Sequence, residues 1–159
     1  MNDYLDIVEK IAVNVVAQNA AEVDQTGAFP QAAVDALRDT GLLGLISAKN
    51  VGGLGKGPHA AALVVERLAR ECASTAMIVC MHYTATAVIE KYGSEAVRKQ
   101  LAQGKHLATL AFSEAGSRSH FWAPVGTATR SQNGICLNAR KSWVTSAHHA
   151  TLYVWSSKP

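Results

Sequence analysis

The chain has 159 residues, of which 48% are hydrophobic and 17% charged, and its formal net charge is +3. This composition is sufficient to bury a core, so it excludes a globally disordered chain. The lysines and arginines are scattered, without a basic stripe interleaved with aromatic residues, which argues against a nucleic-acid-binding protein.

Cysteine usage and hydropathy indicate the compartment. Cys72, Cys80 and Cys136 form an odd set without a CxxC pair, which argues against a disulfide framework and a zinc site and fits a reducing compartment. The N-terminus has an early acidic residue and no apolar segment of signal length. The apolar stretch 73–88 is interrupted by hydroxyl residues and a histidine, so it predicts no membrane span. We therefore expect a soluble, cytoplasmic protein without a metal site.

The sequence up to Gly104 has a helical period. Apolar residues at three- and four-residue steps predict an amphipathic helix over about 4–18. Pro30 suits the first turn of a second helix, which should stop near Gly41. A third helix is predicted over about 59–71.

Two further helices are predicted before the period changes. The fourth runs over about 74–91 and should be buried all round, because it is nearly all apolar. Ser94 is placed to cap the fifth, which should end near Gly104.

From residue 106 onwards the sequence has the pattern of β-strands. Strands are predicted over 106–112, 125–129, 134–137, 142–145 and 151–155, and Gln132-Asn133-Gly134 predicts a hairpin turn. Helices followed by an antiparallel β segment predict an α+β chain with two domains, a helical one over 1–105 and a β one over 106–159. Because so small a sheet would leave exposed edges, we expect the front part of a longer protein.

The stretch 110–147 is the most informative for chemistry. An apolar strand opens into a polar loop of small residues at 112–119, and the predicted strand 142–145 carries Trp143 and Thr145. Residues i and i+2 of a strand share one face, so both side chains should look the same way. A flat aromatic ring beside a hydroxyl group, facing a loop rich in backbone N–H groups, suits a flat, polar-edged cofactor such as a flavin.

Several motifs, in this order, resemble the acyl-CoA dehydrogenase family over essentially the whole chain. They are Phe29-Pro30 with Gly41-Leu42-Leu43-Gly44, Gly52-Gly53-Leu54-Gly55, Phe112-Ser113-Glu114-Ala115-Gly116-Ser117-Arg118-Ser119 and Lys141-Ser142-Trp143-Val144-Thr145. The resemblance implies an N-terminal all-α domain followed by the start of an antiparallel β-barrel-like domain. It also implies that the family's C-terminal helical domain is absent from this chain.

The resemblance implies FAD as cofactor and assigns roles to individual residues. Phe112 and Ser113 would face the flavin ring through backbone and hydroxyl groups, Trp143 would line the ring, and Thr145 would place its hydroxyl near the reactive nitrogen. Ser119 matches a serine that contacts the cofactor pyrophosphate or the acyl-CoA.

Two further residues are predicted to contact substrate. Arg118 replaces a glycine of the family pattern, so it can either add charge-assisted contacts to CoA phosphates or crowd the loop. Tyr83 lies near where the family's acyl chain runs, although it and His82 also fit the pattern of hydrogen-bonded core residues. The pair His148-His149 is interpreted as a surface turn.

The activity that the resemblance implies is α,β-desaturation of an acyl-CoA thioester in fatty acid or amino acid metabolism. A glutamate removes the α-proton and the β-hydrogen leaves as hydride to the flavin. That glutamate is expected beyond Pro159, and Glu114 does not take its role. No catalytic residue is therefore predicted within this chain, and the segment alone should be inactive.

Two alternatives remain open at this point. A flavin monooxygenase or an acyl-CoA oxidase would share the fold, and a non-catalytic short form would act as a binding or assembly module. The partners implied by the first interpretation are an acyl-CoA substrate, an electron-transfer flavoprotein or similar acceptor, and further copies of the chain in a homotetramer or homodimer.

Overall fold

The structure, a computed structural model, describes residues 4–118, 120 and 122–159. Within these residues six α-helices precede four β-strands. The helices are α1 (Tyr4–Ile11), α2 (Ala17–Thr26), α3 (Gln31–Asp39), α4 (Pro58–Ala69), α5 (Ala73–Tyr92) and α6 (Glu95–Ala102). The strands are β1 (Ala108–Ala111), β2 (Thr127–Ser131), β3 (Gly134–Asn138) and β4 (Leu152–Trp155). The predicted succession of a helical part and a β part is confirmed.

The first helical segment is longer than its periodicity predicts. A π-helical turn, Ala12–Val16, joins α1 to α2, so the helical run ends at Thr26 rather than near residue 18. The α2 sequence buries only Val23, so it lacks the apolar stripe that would have revealed it. Its alanines and its Glu and Gln residues are nevertheless good helix formers. Gly27 ends the helix in the left-handed conformation, with φ of 67°.

Helices α1 through α5 and the short turns that follow α3 share one apolar core. Its fully buried side chains include Leu37 of α3, Leu42 and Leu43 of the following turn, and Val64 and Leu68 of α4. A smaller cluster connects α5 and α6 to β1 through Ala85, Ile89, Leu101 and Ala108. Through these two clusters α5 fixes the position of the β segment relative to the helices.

Helix α5 is not buried all round, contrary to the prediction. It packs against α4 and β1, but Met77, Thr84 and Ala87 remain exposed along one side. Their spacing of seven and three residues places them on a single stripe of the helix. Met77 lines one surface groove, and Thr84 and Ala87 line another.

The start of α6 follows the prediction. The Ser94 hydroxyl accepts a hydrogen bond from the backbone N–H of Val97, with the two atoms 3.4 Å apart. A serine in this position satisfies one of the N–H groups that a helix leaves unpaired at its first turn.

The strands form two separate pairs. β2 and β3 are antiparallel and are joined by the predicted hairpin turn, since Ser131 is paired with Gly134. β1 and β4 are parallel, with Ala108 opposite Leu152, so this pair departs from the expected antiparallel arrangement. Parallel strands need a long connection, which here is the whole stretch between β1 and β4. No closed barrel forms among the residues described.

The strand predicted over 142–145 is wrong. The backbone turns instead, because Trp143 and Ser146 have left-handed φ angles of 56° and 59°. The local sequence alternates as in a strand, but this backbone cannot place Trp143 and Thr145 on one strand face. Nowhere in residues 4–118, 120 and 122–159 is a helix both long and apolar enough to cross a membrane.

Candidate functional site at the junction of helices and strands

His82 ties the helical core to the first strand. Its ring is fully buried; Nε2 lies 2.9 Å from the Leu43 carbonyl oxygen, and Nδ1 lies 3.0 Å from the backbone nitrogen of Ala108. Since the carbonyl only accepts and the N–H only donates, the ring is the neutral Nε2–H tautomer. Burial lowers the pKa of His82 from 6.5 to about 4.

Tyr83 is also a hydrogen-bonded core residue. Its hydroxyl donates to the Leu42 carbonyl oxygen at 2.8 Å, and burial raises the pKa of the phenol. The expectation that both His82 and Tyr83 satisfy their polar groups within the core is therefore confirmed.

The two motifs of the β segment lie side by side. The Ser142 N–H donates to the Ser113 carbonyl oxygen at 2.9 Å, and the next residues on each side form an antiparallel bridge. Further along, the Thr109 hydroxyl of β1 donates to the Thr145 carbonyl oxygen at 2.8 Å. These bonds align the loop that follows β1 with the segment 141–145.

Thr145 lines a groove between the helices and the β segment. The groove has a volume of about 550 Å³ and is formed by the loop 27–30, the start of α5 and the turn 145–149; we call it the helix–turn groove. This volume lies within the range of about 300–1,000 Å³ that is usual for ligand pockets. Met77 and Ile78 supply an apolar wall, and Phe29 stacks on His149 with ring centroids 3.8 Å apart. The predicted turn at His148-His149 is confirmed, and both residues are exposed.

Ser146, which lines the helix–turn groove, has an unsatisfied polar group. Its hydroxyl oxygen is buried and has no hydrogen-bond partner among the described residues. Buried hydroxyl groups are normally paired, because leaving one unpaired costs free energy. Because solvent does not reach this oxygen, it offers no direct contact to a molecule in the groove. The groove itself presents the apolar wall and Thr145.

Trp143 projects away from the core. Trp143 is 94% exposed. Phe112 and Ser113, which belong to the other motif, are half-buried. The backbone at Trp143 is left-handed, with φ of 56°. The ring is therefore available for stacking against a flat group, although it does not share a strand face with Thr145.

Glu114 is held in a buried ion pair. Its carboxylate accepts from the backbone N–H groups of Val125 and Gly126 and lies 3.0 Å from the Lys141 Nζ, and each side chain of the pair is 3% exposed. The Val125 hydrogen bond, followed by Lys141, lowers the pKa of Glu114. Because its oxygens are already engaged, this carboxylate is not placed to act as a general base.

The chain is similar in sequence to known proteins over most of its length. Residues 2–105 match the sequence model of the family described as acyl-CoA dehydrogenase, N-terminal domain. The chain belongs to the acyl-CoA dehydrogenase family. It is 30% identical over 156 residues to a probable acyl-CoA dehydrogenase of Mycobacterium leprae, a match that covers 96% of this chain and 40% of that protein.

Solved structures share the fold of this acyl-CoA dehydrogenase family member. Butyryl-CoA dehydrogenase from Megasphaera elsdenii matches with a TM-score of 0.80 at 23% identity, over 98% of this chain and 44% of its own. Methanesulfinate monooxygenase from Pseudomonas fluorescens matches with a TM-score of 0.83 at 22% identity, over 99% of this chain and 40% of its own. At these identities the likeness concerns the fold alone.

The predicted site residues of this family member fall into three groups. Phe112, Ser113, Trp143 and Thr145 lie on the two segments that the Ser113–Ser142 hydrogen bond aligns. Tyr83 lies elsewhere, where it lines an apolar groove of about 670 Å³ between α4 and α5 that shares no lining residue with the helix–turn groove.

The remaining two predictions concern the loop. Arg118 is exposed and has a left-handed φ of 50°, and Ser119 lies outside the described residues. Ser146, Phe29 and Met77 line the helix–turn groove but were not predicted as site residues, although Phe29 belongs to one of the motifs. The hydroxyl of Ser146, directly after Thr145, was the one signal available for that part of the groove.

Proposed function

We propose that this chain is the N-terminal part of an FAD-dependent acyl-CoA dehydrogenase, which introduces a double bond between the α and β carbons of an acyl-CoA thioester. The observation that carries the proposal is the alignment of the loop after β1 with the segment 141–145, next to the helix–turn groove that Thr145 lines. Membership of the acyl-CoA dehydrogenase family supports it. When bound, FAD would supply the hydride acceptor for the reaction.

Residues of the two aligned segments would hold the flavin. In this proposal Phe112 and Ser113 offer backbone groups to the ring edge, Trp143 stacks on the ring, and Thr145 donates through its hydroxyl. Ser119 would contact the cofactor pyrophosphate or the substrate. Such fixed donors act without reorganisation during the reaction, which is how enzymes stabilise developing charge.

The same proposal assigns the substrate contacts, the two domains and the source of the general base. Arg118, which is exposed, would meet the CoA phosphates, and Tyr83 would line the acyl side. Residues 1–105 would form the helical domain and 106–159 the start of the β domain. The general base would come from a part of the protein outside this chain, so these residues alone would not turn over substrate.

The proposed partners and setting are those of the family. An electron-transfer flavoprotein or similar acceptor would reoxidise the protein, and copies of the chain would assemble as a homotetramer or homodimer. Three free cysteines, Cys72, Cys80 and Cys136, fit a reducing compartment such as the cytoplasm.

A flavin monooxygenase or acyl-CoA oxidase is the second candidate. The observation in its favour is the likeness in fold to a methanesulfinate monooxygenase. The two candidates differ in oxygen use. Acyl-CoA-dependent reduction of an added dye without oxygen consumption would support the dehydrogenase, whereas peroxide or a hydroxylated product would support the second candidate.

The substitution Thr145→Val tests the flavin site. Valine keeps the branched shape and leaves the backbone carbonyl that accepts from Thr109, so only the hydroxyl is lost. Since one hydrogen bond contributes about 1 kcal/mol, the Kd for FAD should rise about fivefold to tenfold. Titration of the apoprotein with FAD, followed by flavin fluorescence, measures the change.

Thr129→Val is the matched control for this titration. Thr129 lies on β2, where it is exposed and pairs with Cys136, away from the two aligned segments in sequence. Its replacement should leave the Kd for FAD unchanged. Equal FAD affinity of Thr145→Val and the unmodified protein would contradict the assignment of the Thr145 hydroxyl.

A further inference from the structure

The buried pair Glu114–Lys141 joins separate segments of the β part of the chain. The two residues face each other across an isolated antiparallel bridge, and Lys141 Nζ lies 3.0 Å from Glu114 Oε1. On one side the Glu114 carboxylate accepts from the backbone of residues 125 and 126. On the other side the Lys141 ammonium donates to the carbonyl and hydroxyl oxygens of Ser156, at 2.6 and 3.0 Å.

The Glu114 carboxylate is tightly packed on the side of Gly126, next to a small cavity of about 270 Å³ that Glu114 also lines. A Cβ atom at Gly126 would lie 2.7 Å from Glu114 Oε1 and would overlap the Cβ of Ala139. Lys141 Nζ also lies 5.1 Å from the centre of the Trp155 ring, so the ammonium is enclosed as well. The hydrogen bonds of the carboxylate and the ion pair thus connect the backbone at residues 125 and 126 with the segment around Lys141.

Stability alone does not explain a buried ion pair. The cost of removing two charges from water commonly equals or exceeds their attraction, and well-packed apolar residues often stabilise a protein as much. A buried pair with several directional hydrogen bonds does, however, specify one arrangement of the backbone. The pair stands next to the Ser113–Ser142 hydrogen bond, which aligns the two segments of the proposed flavin site.

We propose that Glu114 and Lys141 are positioning residues for flavin binding: their ion pair holds the Ser113 backbone and the segment leading to Trp143 at a fixed separation. Neither residue contacts the cofactor itself. The inference rests on the proposed function, because it assumes that these segments bind FAD. It adds a role for two residues that the site assignments above leave out.

The test uses the purified full-length protein and the double variant Glu114→Gln/Lys141→Met. This change removes both charges while keeping the side-chain sizes, so neither charge is left buried alone. Because methionine cannot donate to Ser156 as Lys141 does, we expect the melting temperature of the apoprotein to fall, while the protein stays folded. The Kd for FAD should rise about tenfold, and the visible circular dichroism of the bound flavin should change.

Two further variants make the result specific. Glu95→Gln/Lys99→Met removes an exposed pair of the same residue types on α6 and should alter neither the Kd nor the spectrum. Gly126→Ala changes no charge, but its Cβ would lie 2.1 Å from the Ala139 Cβ and 2.7 Å from Glu114 Oε1. It therefore shifts the backbone near Ala139 as well as the carboxylate, and it should weaken FAD binding in the same direction as the double variant. It therefore provides a second measurement of FAD affinity if the double variant fails to fold.

The outcomes separate this inference from the proposed function. Unchanged FAD affinity and unchanged circular dichroism in a folded Glu114→Gln/Lys141→Met protein, or in Gly126→Ala, would overturn the positioning role alone. Failure of the parent protein to bind FAD would overturn the proposed function, and the inference with it. Loss of affinity in the double variant, with the Glu95–Lys99 control unchanged, supports the positioning role. A loss in Gly126→Ala alone, with a folded and unaffected double variant, would assign the effect to the overlap with Ala139 and overturn the role.

Discussion

Replacing His82 by leucine is expected to lower the free energy of unfolding by about 4 kcal/mol, because each buried polar group left without its partner costs about 1–3 kcal/mol. The substitution leaves two such groups, the Leu43 carbonyl and the Ala108 N–H, in the interior between the helices and β1. Leucine is close to histidine in size, so the loss reflects hydrogen bonding rather than a large cavity. Chemical denaturation of the purified variant and parent measures it.

His82→Gln is the matched variant for this comparison. The glutamine amide offers an NH2 donor and a carbonyl acceptor, where the neutral ring offers Nε2–H and Nδ1. It should therefore retain more than half of the stability that His82→Leu loses. Equal stability of His82→Leu and the parent would show that His82 does not link the turn at Leu43 to β1.

Acidification from pH 6.5 to pH 4 is expected to remove about 3 kcal/mol of stability through His82 alone. Burial lowers the pKa of this group from 6.5 to about 4 in the folded protein. Between these values the unfolded chain binds a proton that the folded protein does not, so falling pH favours unfolding. Above pH 6.5 the ring is neutral in both states and this contribution is fully retained.

The same measurement on His82→Gln isolates the effect. Carboxylates whose pKa is lowered in the fold, at Glu9, Glu95 and Glu114, also lose stability in acid, but they are present in both proteins. The difference between parent and variant should shrink steadily from pH 6.5 to pH 4. A difference that does not depend on pH would contradict a neutral, buried His82.

Much of the helical part could be predicted because its information is local. Apolar spacing located α3, α4 and α5 within a few residues, and Ser94 marked the start of α6 through its capping hydroxyl. Helix α2 was missed because its stability does not come from an apolar stripe: it continues α1 through a π-helical turn and buries only Val23. The exposed stripe on α5 was missed because composition does not reveal which side of an apolar helix has a neighbour.

The site was predictable in its parts but not in its geometry. The sequence motifs identified the segments containing Ser113 and Thr145, and the structure aligns those segments. The left-handed backbone at Trp143 was not predictable, because residues other than glycine seldom adopt it and local propensity favoured a strand. The Glu114–Lys141 pair was equally invisible, since its partners are distant in sequence and meet only through the paired backbone.

The most direct test of the proposed function is a visible spectrum of the purified full-length protein, loaded with FAD and titrated with acyl-CoAs without oxygen. We expect flavin bands in the loaded protein, because the helix–turn groove has an apolar wall and lies beside the two aligned segments. Addition of an accepted acyl-CoA should bleach those bands as the substrate is oxidised. A protein that retains no FAD after reconstitution, or whose flavin bands persist with every acyl-CoA chain length, would contradict the proposal.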